Sequence, residues 1–361
     1  TVPVLLEREQ ELASLSHALS ETQRGRGQVV LVEASAGIGK TSLLRAAVET
    51  AVDMGFVSLR ARAGELERDF AYGCVRQLLE PVVARAPGPG RDRQFAGAAA
   101  LSQPLFQPAV AGPLAPSTDT TYSMLHGLYW LLSNLADEAP VVLSVDDLQW
   151  ADAESLRLLV YLAPRLDGLR LALLCATRTG APANADLARL AAAPETTVLR
   201  PRPLTTTGTA ALCGLRLGAD VTPEFATACW EATGGNPFFL EALLRETGGQ
   251  QVVPDAQEAV RVRRVGPSAV AQAVLLRMSD APAAASDLVR AVAVLGDGAS
   301  LPEAARLAGV AEDEAARAHD LLAKLEILTP RDVLEFAHPI VREAVYADIG
   351  AHERAQAHAR A

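Results

Sequence analysis

The densest chemistry in the chain lies in Ala34-Ser35-Ala36-Gly37-Ile38-Gly39-Lys40-Thr41. A loop that wraps a phosphate chain must turn its backbone N–H groups inward, and glycines let it do so without Cβ clashes. The spacing assigns Ala36, Gly37, Ile38 and Gly39 to the phosphates through their backbone, with Ser42 beside them at the start of the next helix. Lys40 has the reach for the β- and γ-phosphates, and Thr41 offers a hydroxyl to Mg²⁺. The helix that follows presents its positive N-terminal end to the same anion. The common form of the pattern opens on Gly, whereas Ala34 stands here. A chance glycine-rich turn is the competing reading; the position between an apolar strand and a helix counts against it.

Such a loop needs an acidic partner for its metal. Val141-Val142-Leu143-Ser144-Val145 leads into Asp146-Asp147. A carboxylate at the end of a buried strand beside the loop's own strand can hold Mg²⁺, which assigns Asp146 to the metal with Thr41. Asp147 is then the candidate that polarises an attacking water. Taken alone, Asp-Asp after a strand reads as a turn or helix cap. Arg178 closes another strand and has the fork geometry to contact a γ-phosphate; a surface salt bridge is the alternative. Lys40, Asp146, Asp147 and Arg178 are therefore the catalytic candidates.

The elements that must position these groups are legible as hydrophobic periods. Leu12, Leu15 and Leu19 mark one face of a first helix, stopped by Gly25 and Gly27. Val29-Val30-Leu31-Val32 is a short apolar run of the kind that fills a buried parallel strand. Leu43, Leu44, Ala47, Val48 and Ala51 then mark a helix. Further strands are expected at 57–62, 141–145, 171–176 and, more weakly, 197–199. Strand, tight turn and helix in succession open an α/β fold. The stretch 87–121, rich in Gly, Pro and Ala, is expected to be an irregular insertion. Beyond Pro203 the strand signal fades. Residues 204–247 read as a small helical bundle, 250–266 as a polar connector, and 268–349 as helices closed by a short hairpin around Pro330, a winged-helix layout.

Composition narrows the function further. The 361 residues carry a net charge of −10, whereas proteins that grip nucleic acid usually present a basic surface. Cys74, Cys175, Cys213 and Cys229 are scattered, with no C-x-x-C spacing, which argues against a zinc or disulfide framework. No apolar run approaches the ~20 residues of a membrane helix, and no charged-then-apolar leader precedes the first helix. A cytoplasmic protein without a membrane partner is expected.

With these residues in hand, the chain resembles the STAND class of P-loop ATPases. Within that class it is similar to the nucleotide-binding and winged-helix portion of the large ATP-binding regulators of the LuxR family, common in actinomycetes. The likeness rests on an ordered series: Leu5–Leu12, the Ala34–Thr41 loop, Phe70–Pro81, Leu125–Ala136, Ser144–Leu159, Thr233–Leu244 and Phe336–Tyr346. The resemblance implies an α/β P-loop domain with a parallel sheet and flanking helices, then an all-α lid and a winged-helix domain. It divides the chain into an N-terminal helix lining the nucleotide pocket (1–28) and a nucleotide-binding domain (29–202). A lid (203–250), a connector (251–267), a winged helix (268–350) and the start of a further helical region (351–361) follow. It also implies roles that local chemistry does not. Pro237 of Gly235-Asn236-Pro237 would pack near the adenine, although Gly-Asn-Pro by itself is a turn signal. His338 would reach the β-phosphate of ADP, although a lone His there reads equally as a cap or packing residue. Arg8 would line the pocket; the family usually has Gly before it, where this chain has Glu7.

The function so implied is an ATP- or ADP-binding switch with slow Mg²⁺-dependent hydrolysis and self-association in the ATP state. DNA would be contacted by a C-terminal domain absent from this chain. Two other readings stay open: a constitutive motor or loader ATPase, and a DNA-binding winged helix. Against the last, Glu312, Asp313, Glu314 and Asp320 stand where a recognition helix would lie, opposed by Arg317 and Lys324.

Overall fold

A computed structural model describes residues 5–64, 68–86, 88–107, 118–179, 184–247, 252–263, 278, 281–296, 298–325, 327–329, 333–336 and 339–360. It divides into two compact units, Thr1–Ala34 with Lys40–Pro201, and Ser35–Gly39 with Arg202–Ala361.

The first unit is a five-stranded parallel sheet with helices on both faces. Helix α1 (Glu9–Gln23) precedes β1 (Gln28–Glu33), α2 (Lys40–Asp53), β2 (Val57–Arg62), α3 (Gly73–Arg85), α4 (Gly88–Gln94) and α5 (Thr118–Glu138). Then come β3 (Val141–Asp146), α6 (Ala153–Leu162), β4 (Leu171–Thr177), α7 (Ala185–Ala192) and β5 (Thr196–Leu199). The strand order is β2-β3-β4-β1-β5. Parallel strands covered on both faces should be apolar throughout, and β3 and β4 are buried at every position. Side chains alternate between two cores. Val29 and Leu31 of β1, with Leu171, Leu173 and Cys175 of β4, face α3, α5, α6 and α7. Val30 and Val32, with Ala172, Leu174 and Ala176, face α1 and α2.

Two expectations are corrected here. The strand ending in Asp146 does not lie beside the loop's strand: β4 pairs with both β1 and β3 and separates them. Arg178, just past β4, thus follows the strand between the two. The expected irregular stretch is ordered over much of its length. It holds α4, a 3₁₀ segment (Gly97–Phe106) and the first residues of α5. Ala99, Ser102 and Leu105 of the 3₁₀ segment are buried, and at Gly127 of α5 a Cβ would meet the backbone of Ser102 at 2.6 Å. Close backbone contact, invisible to local composition, fixes this segment. Residues 108–117 lie outside the described residues.

The second unit is mainly helical. It holds α8 (Thr206–Leu217), α9 (Pro223–Thr233), α10 (Pro237–Glu246) and a helical stretch over 256–263 within the expected connector. Further on lie α11 (Ala283–Leu295), β6 (Ala299–Ser300), α12 (Leu301–Ala308), α13 (Glu312–Lys324), β7 (Val333–Leu334), α14 (Pro339–Asp348) and α15 (Ala351–Arg360). Strands β6 and β7 pair antiparallel, and a bridge joins Leu328 to Phe336. Leu288, Val292, Ala304, Leu322, Leu334 and Val341 share one core in this part. Caps set the helix ends: Ser300 and Glu303 form a reciprocal capping box on α12, and Asn236 caps α10 ahead of Pro237 at its first position. Among the described residues, no helix is long and apolar enough to cross a membrane.

Candidate nucleotide site

In the first unit, the groups expected to act on phosphate and metal converge at the C-terminal ends of the strands. Lys40, the first residue of α2, is 7% exposed, and its Nζ donates to the Ala34 carbonyl at 2.7 Å. The first turn of α2 contains no acidic residue of its own, so its positive end carries no intrahelical counter-charge. Thr41, on the same turn, donates from Oγ1 to Asp146 Oδ2 at 2.7 Å, although the two are 105 residues apart. Asp146 is 9% exposed at the end of β3, and its Oδ1 accepts the Asp147 N–H at 2.9 Å. A hydroxyl and a carboxylate brought together from two elements are the hard oxygen donors that Mg²⁺ takes. The residues present therefore fit that ion, and Thr41 and Asp146 are the pair that could hold it. Among the described residues no group of three or more His, Cys, Asp or Glu could hold a metal.

Asp147 is held differently. It adopts the left-handed conformation, φ 53° and ψ 41°, which Asp tolerates better than most residues. Its Oδ2 accepts from Arg62 Nε and Nη2, both at 3.1 Å, and its Oδ1 accepts from Gln149 Nε2 at 3.1 Å. Arg178 Nε lies 4.0 Å from Oδ1. The structure thus brings Asp147 and Arg178 together, but as partners in one charge network rather than as two independent groups.

Two members of this arrangement escaped the sequence reading. Gln149 is 7% exposed, and its Oε1 accepts the Arg178 N–H at 3.2 Å and the Thr177 hydroxyl at 3.4 Å while its amide holds Asp147. It ties the end of β3 to the end of β4, and nothing local in the sequence distinguishes it from any polar residue after a strand. Asp152, 2% exposed, accepts the N–H groups of Ser155 (2.9 Å), Tyr72 (2.8 Å) and Cys74 (3.2 Å). One buried carboxylate therefore caps α6 and anchors the start of α3. An Asp three residues before Ser at a helix start is a legible cap signal for the first of these roles.

Arg8 is 4% exposed at the N-terminal end of α1, with its Nη1 donating to the Glu7 carbonyl at 2.8 Å. Burial lowers its pKa, and Glu11, Glu7 and Glu9 pull the other way. Glu7 takes φ +55°, the left-handed region in which glycine is at ease. The chain keeps a glycine-like bend before Arg8 while using a glutamate.

In the second unit, the loop Ser35–Gly39 meets the start of α10. Gly37 and Gly39 have φ of +85° and +100°. A Cβ on Gly37 would stand 2.5 Å from Asn236 Oδ1 and 2.8 Å from Phe238 Cβ, so only glycine fits there. Asn236 Nδ2 donates to the Ala36 carbonyl at 2.9 Å, and the Phe238 N–H to the Gly37 carbonyl at 3.3 Å. Pro237, which the resemblance places near the adenine, is the first residue of α10, and its neighbour Asn236 lies against the loop. Gly235 is obligatory for another reason: with φ +72°, a Cβ on it would lie 2.1 Å from the Leu204 carbonyl oxygen. Ser42 sits half-buried in the first turn of α2. His338 lies outside the described residues.

Comparison with known proteins agrees with this geometry. Residues 4–175 match the model of the AAA ATPase domain family. The uncharacterized protein R02095 of Rhizobium meliloti (strain 1021) is 26% identical over 390 residues, covering 99% of this chain and 36% of that protein. The chain therefore spans about a third of the length of this curated relative. Among solved structures, the Walker-type ATPase PABY2304 of Pyrococcus abyssi aligns with a TM-score of 0.56 at 16% identity, covering 94% of this chain and 96% of that one. The Orc1 protein of Aeropyrum pernix, solved in complex with DNA, aligns with a TM-score of 0.50 at 17% identity, covering 96% and 94%. The family match over residues 4–175, the parallel sheet with helices on both faces and the loop that leads into Lys40 and Thr41 give this part of the chain its likeness to an AAA-type P-loop ATPase domain.

Proposed function

We propose that this chain is a nucleotide-controlled regulatory switch, binding ATP or ADP with Mg²⁺ and hydrolysing ATP slowly. The observation that carries this reading is the state of Asp147. The carboxylate expected to polarise water is clamped by Arg62 and Gln149 and faced by Arg178. With both of its oxygens already engaged by N–H donors, this carboxylate can take up an attacking water only after one of those bonds opens. Slow turnover is what a switch requires, because each nucleotide state must outlast the event it reports.

In this reading Lys40 leaves the Ala34 carbonyl to bind the β- and γ-phosphates, Thr41 and Asp146 hold the metal, and Arg178 reports a γ-phosphate. The bound Mg²⁺ would supply charge neutralisation on the phosphate oxygens. Residues 268–350 serve as a winged helix, and His338 reaches the β-phosphate of ADP, as the STAND resemblance implies. ATP would favour a self-associating form in a cytoplasmic LuxR-family regulator of transcription. Moving such an equilibrium from one part in a hundred to the reverse needs ~10⁴-fold differential affinity, ~5.5 kcal/mol, within reach of a few charge-assisted contacts.

Turnover and sedimentation velocity, each in saturating ATP with Mg²⁺ and in ADP, test the proposal. Turnover below about 0.1 s⁻¹, far under the ~10 s⁻¹ median of enzymes, with a larger species in ATP alone, is the expected result. Rapid turnover with the same species in both nucleotides would instead establish a constitutive motor.

A further inference from the structure

We propose that Asn236 is a positioning residue for the phosphate loop: it holds the outer side of the loop so that the N–H groups of Gly37 and Ile38 stay turned inward. This deepens the nucleotide-binding reading above and rests on it. The argument begins with peptide planarity. In a trans peptide the C=O and the following N–H point in opposite directions. The carbonyl of Ala36 shares its plane with the N–H of Gly37, and the carbonyl of Gly37 shares its plane with the N–H of Ile38. Asn236 Nδ2 holds the first carbonyl at 2.9 Å and the Phe238 N–H holds the second at 3.3 Å. Two successive peptide planes are thereby fixed, with their N–H groups directed away from Asn236. Both N–H groups belong to residues that the loop pattern assigns to phosphate.

The side chain of Asn236 is itself fixed. Its Oδ1 accepts the Phe238 N–H at 3.0 Å, capping α10, which leaves the amide nitrogen as the donor to Ala36. One residue therefore caps a helix and steadies the loop with different atoms. Pro237 at the first helical turn and Gly235 against Leu204 hold the backbone on either side of it. Position 37 must be glycine for this packing to form, because any side chain there would strike the Asn236 amide.

The two roles of Asn236 are separable. Asp and Ser cap helices about as well as Asn, yet Asp brings no donor, and the Ser hydroxyl sits one bond short of the position of the amide nitrogen that holds the Ala36 carbonyl. Asn236→Asp and Asn236→Ser should therefore melt at nearly the wild-type temperature. In nucleotide-free protein, hydrogen exchange of the peptide spanning residues 34–44 should quicken about fivefold in both variants. Titration with a fluorescent ADP in Mg²⁺ should show affinity about tenfold weaker in both, ~1.4 kcal/mol, because the nucleotide must then order a loop that is no longer held in place. Unchanged exchange with affinity within twofold of wild type would overturn the inference. So would a loss confined to Asn236→Asp, which would mark charge repulsion alone. If the wild type binds no nucleotide while exchange still quickens in both variants, the positioning role stands and the nucleotide reading falls.

Discussion

Replacing Lys40 with alanine is expected to weaken both ADP and ATP by more than about 100-fold while leaving the fold intact. The ammonium is the one group in the loop pattern that carries formal positive charge to the phosphates, and each charge-assisted bond it makes there contributes about 1.5–3 kcal/mol. Two such bonds lost exceed the ~2.7 kcal/mol that corresponds to 100-fold. Stability should survive because the Ala34 carbonyl, which the ammonium holds at 2.7 Å, also accepts the Thr179 N–H at 3.3 Å. Removing the lysine therefore does not orphan a buried acceptor. Calorimetric titration beside a thermal melt checks both halves: unchanged affinity would remove the phosphate assignment, and a collapsed melting temperature would make Lys40 structural.

Replacing Asp146 with asparagine should abolish the advantage that Mg²⁺ confers on ATP binding and lower turnover at least 100-fold. The substitution is nearly isosteric. The oxygen that accepts the Asp147 N–H is retained, and the Thr41 hydroxyl keeps an amide partner, so the end of β3 should hold its shape. What disappears is the negative charge that makes the Thr41–Asp146 pair a site for a hard dication. ATP titrations with Mg²⁺ and with EDTA should become superimposable in the variant. A metal effect equal to that of the wild type would show that the ion is held elsewhere, and Asp146 would revert to a strand-end cap.

Much of this site could be read from local pattern because its parts are locally encoded. Strands β1, β3 and β4 announce themselves as apolar runs since both of their faces are buried, and the turn into α2 needs its glycines whatever the surrounding fold. Strand order is not local. Parallel neighbours are chosen by the crossovers that join them, so nothing in Val141–Asp146 reveals that β4 stands between it and β1. The same limit hid the order in Gly97–Phe106, whose contacts with α5 override its Gly- and Pro-rich surroundings. Asn236 was legible as part of a turn signal, but its bond to the Ala36 carbonyl reaches 200 residues back along the chain. Asp147 looked like a free base because Arg62, 85 residues earlier, carries no mark of the partner it holds.

The most direct test of nucleotide control is to denature freshly purified protein and identify what it releases by chromatography. Close to one ADP per chain is the result the switch proposal predicts, since slow turnover would leave the product bound through purification. Release of no nucleotide, together with failure of added ADP or ATP to bind, would contradict the account and leave the loop a structural turn.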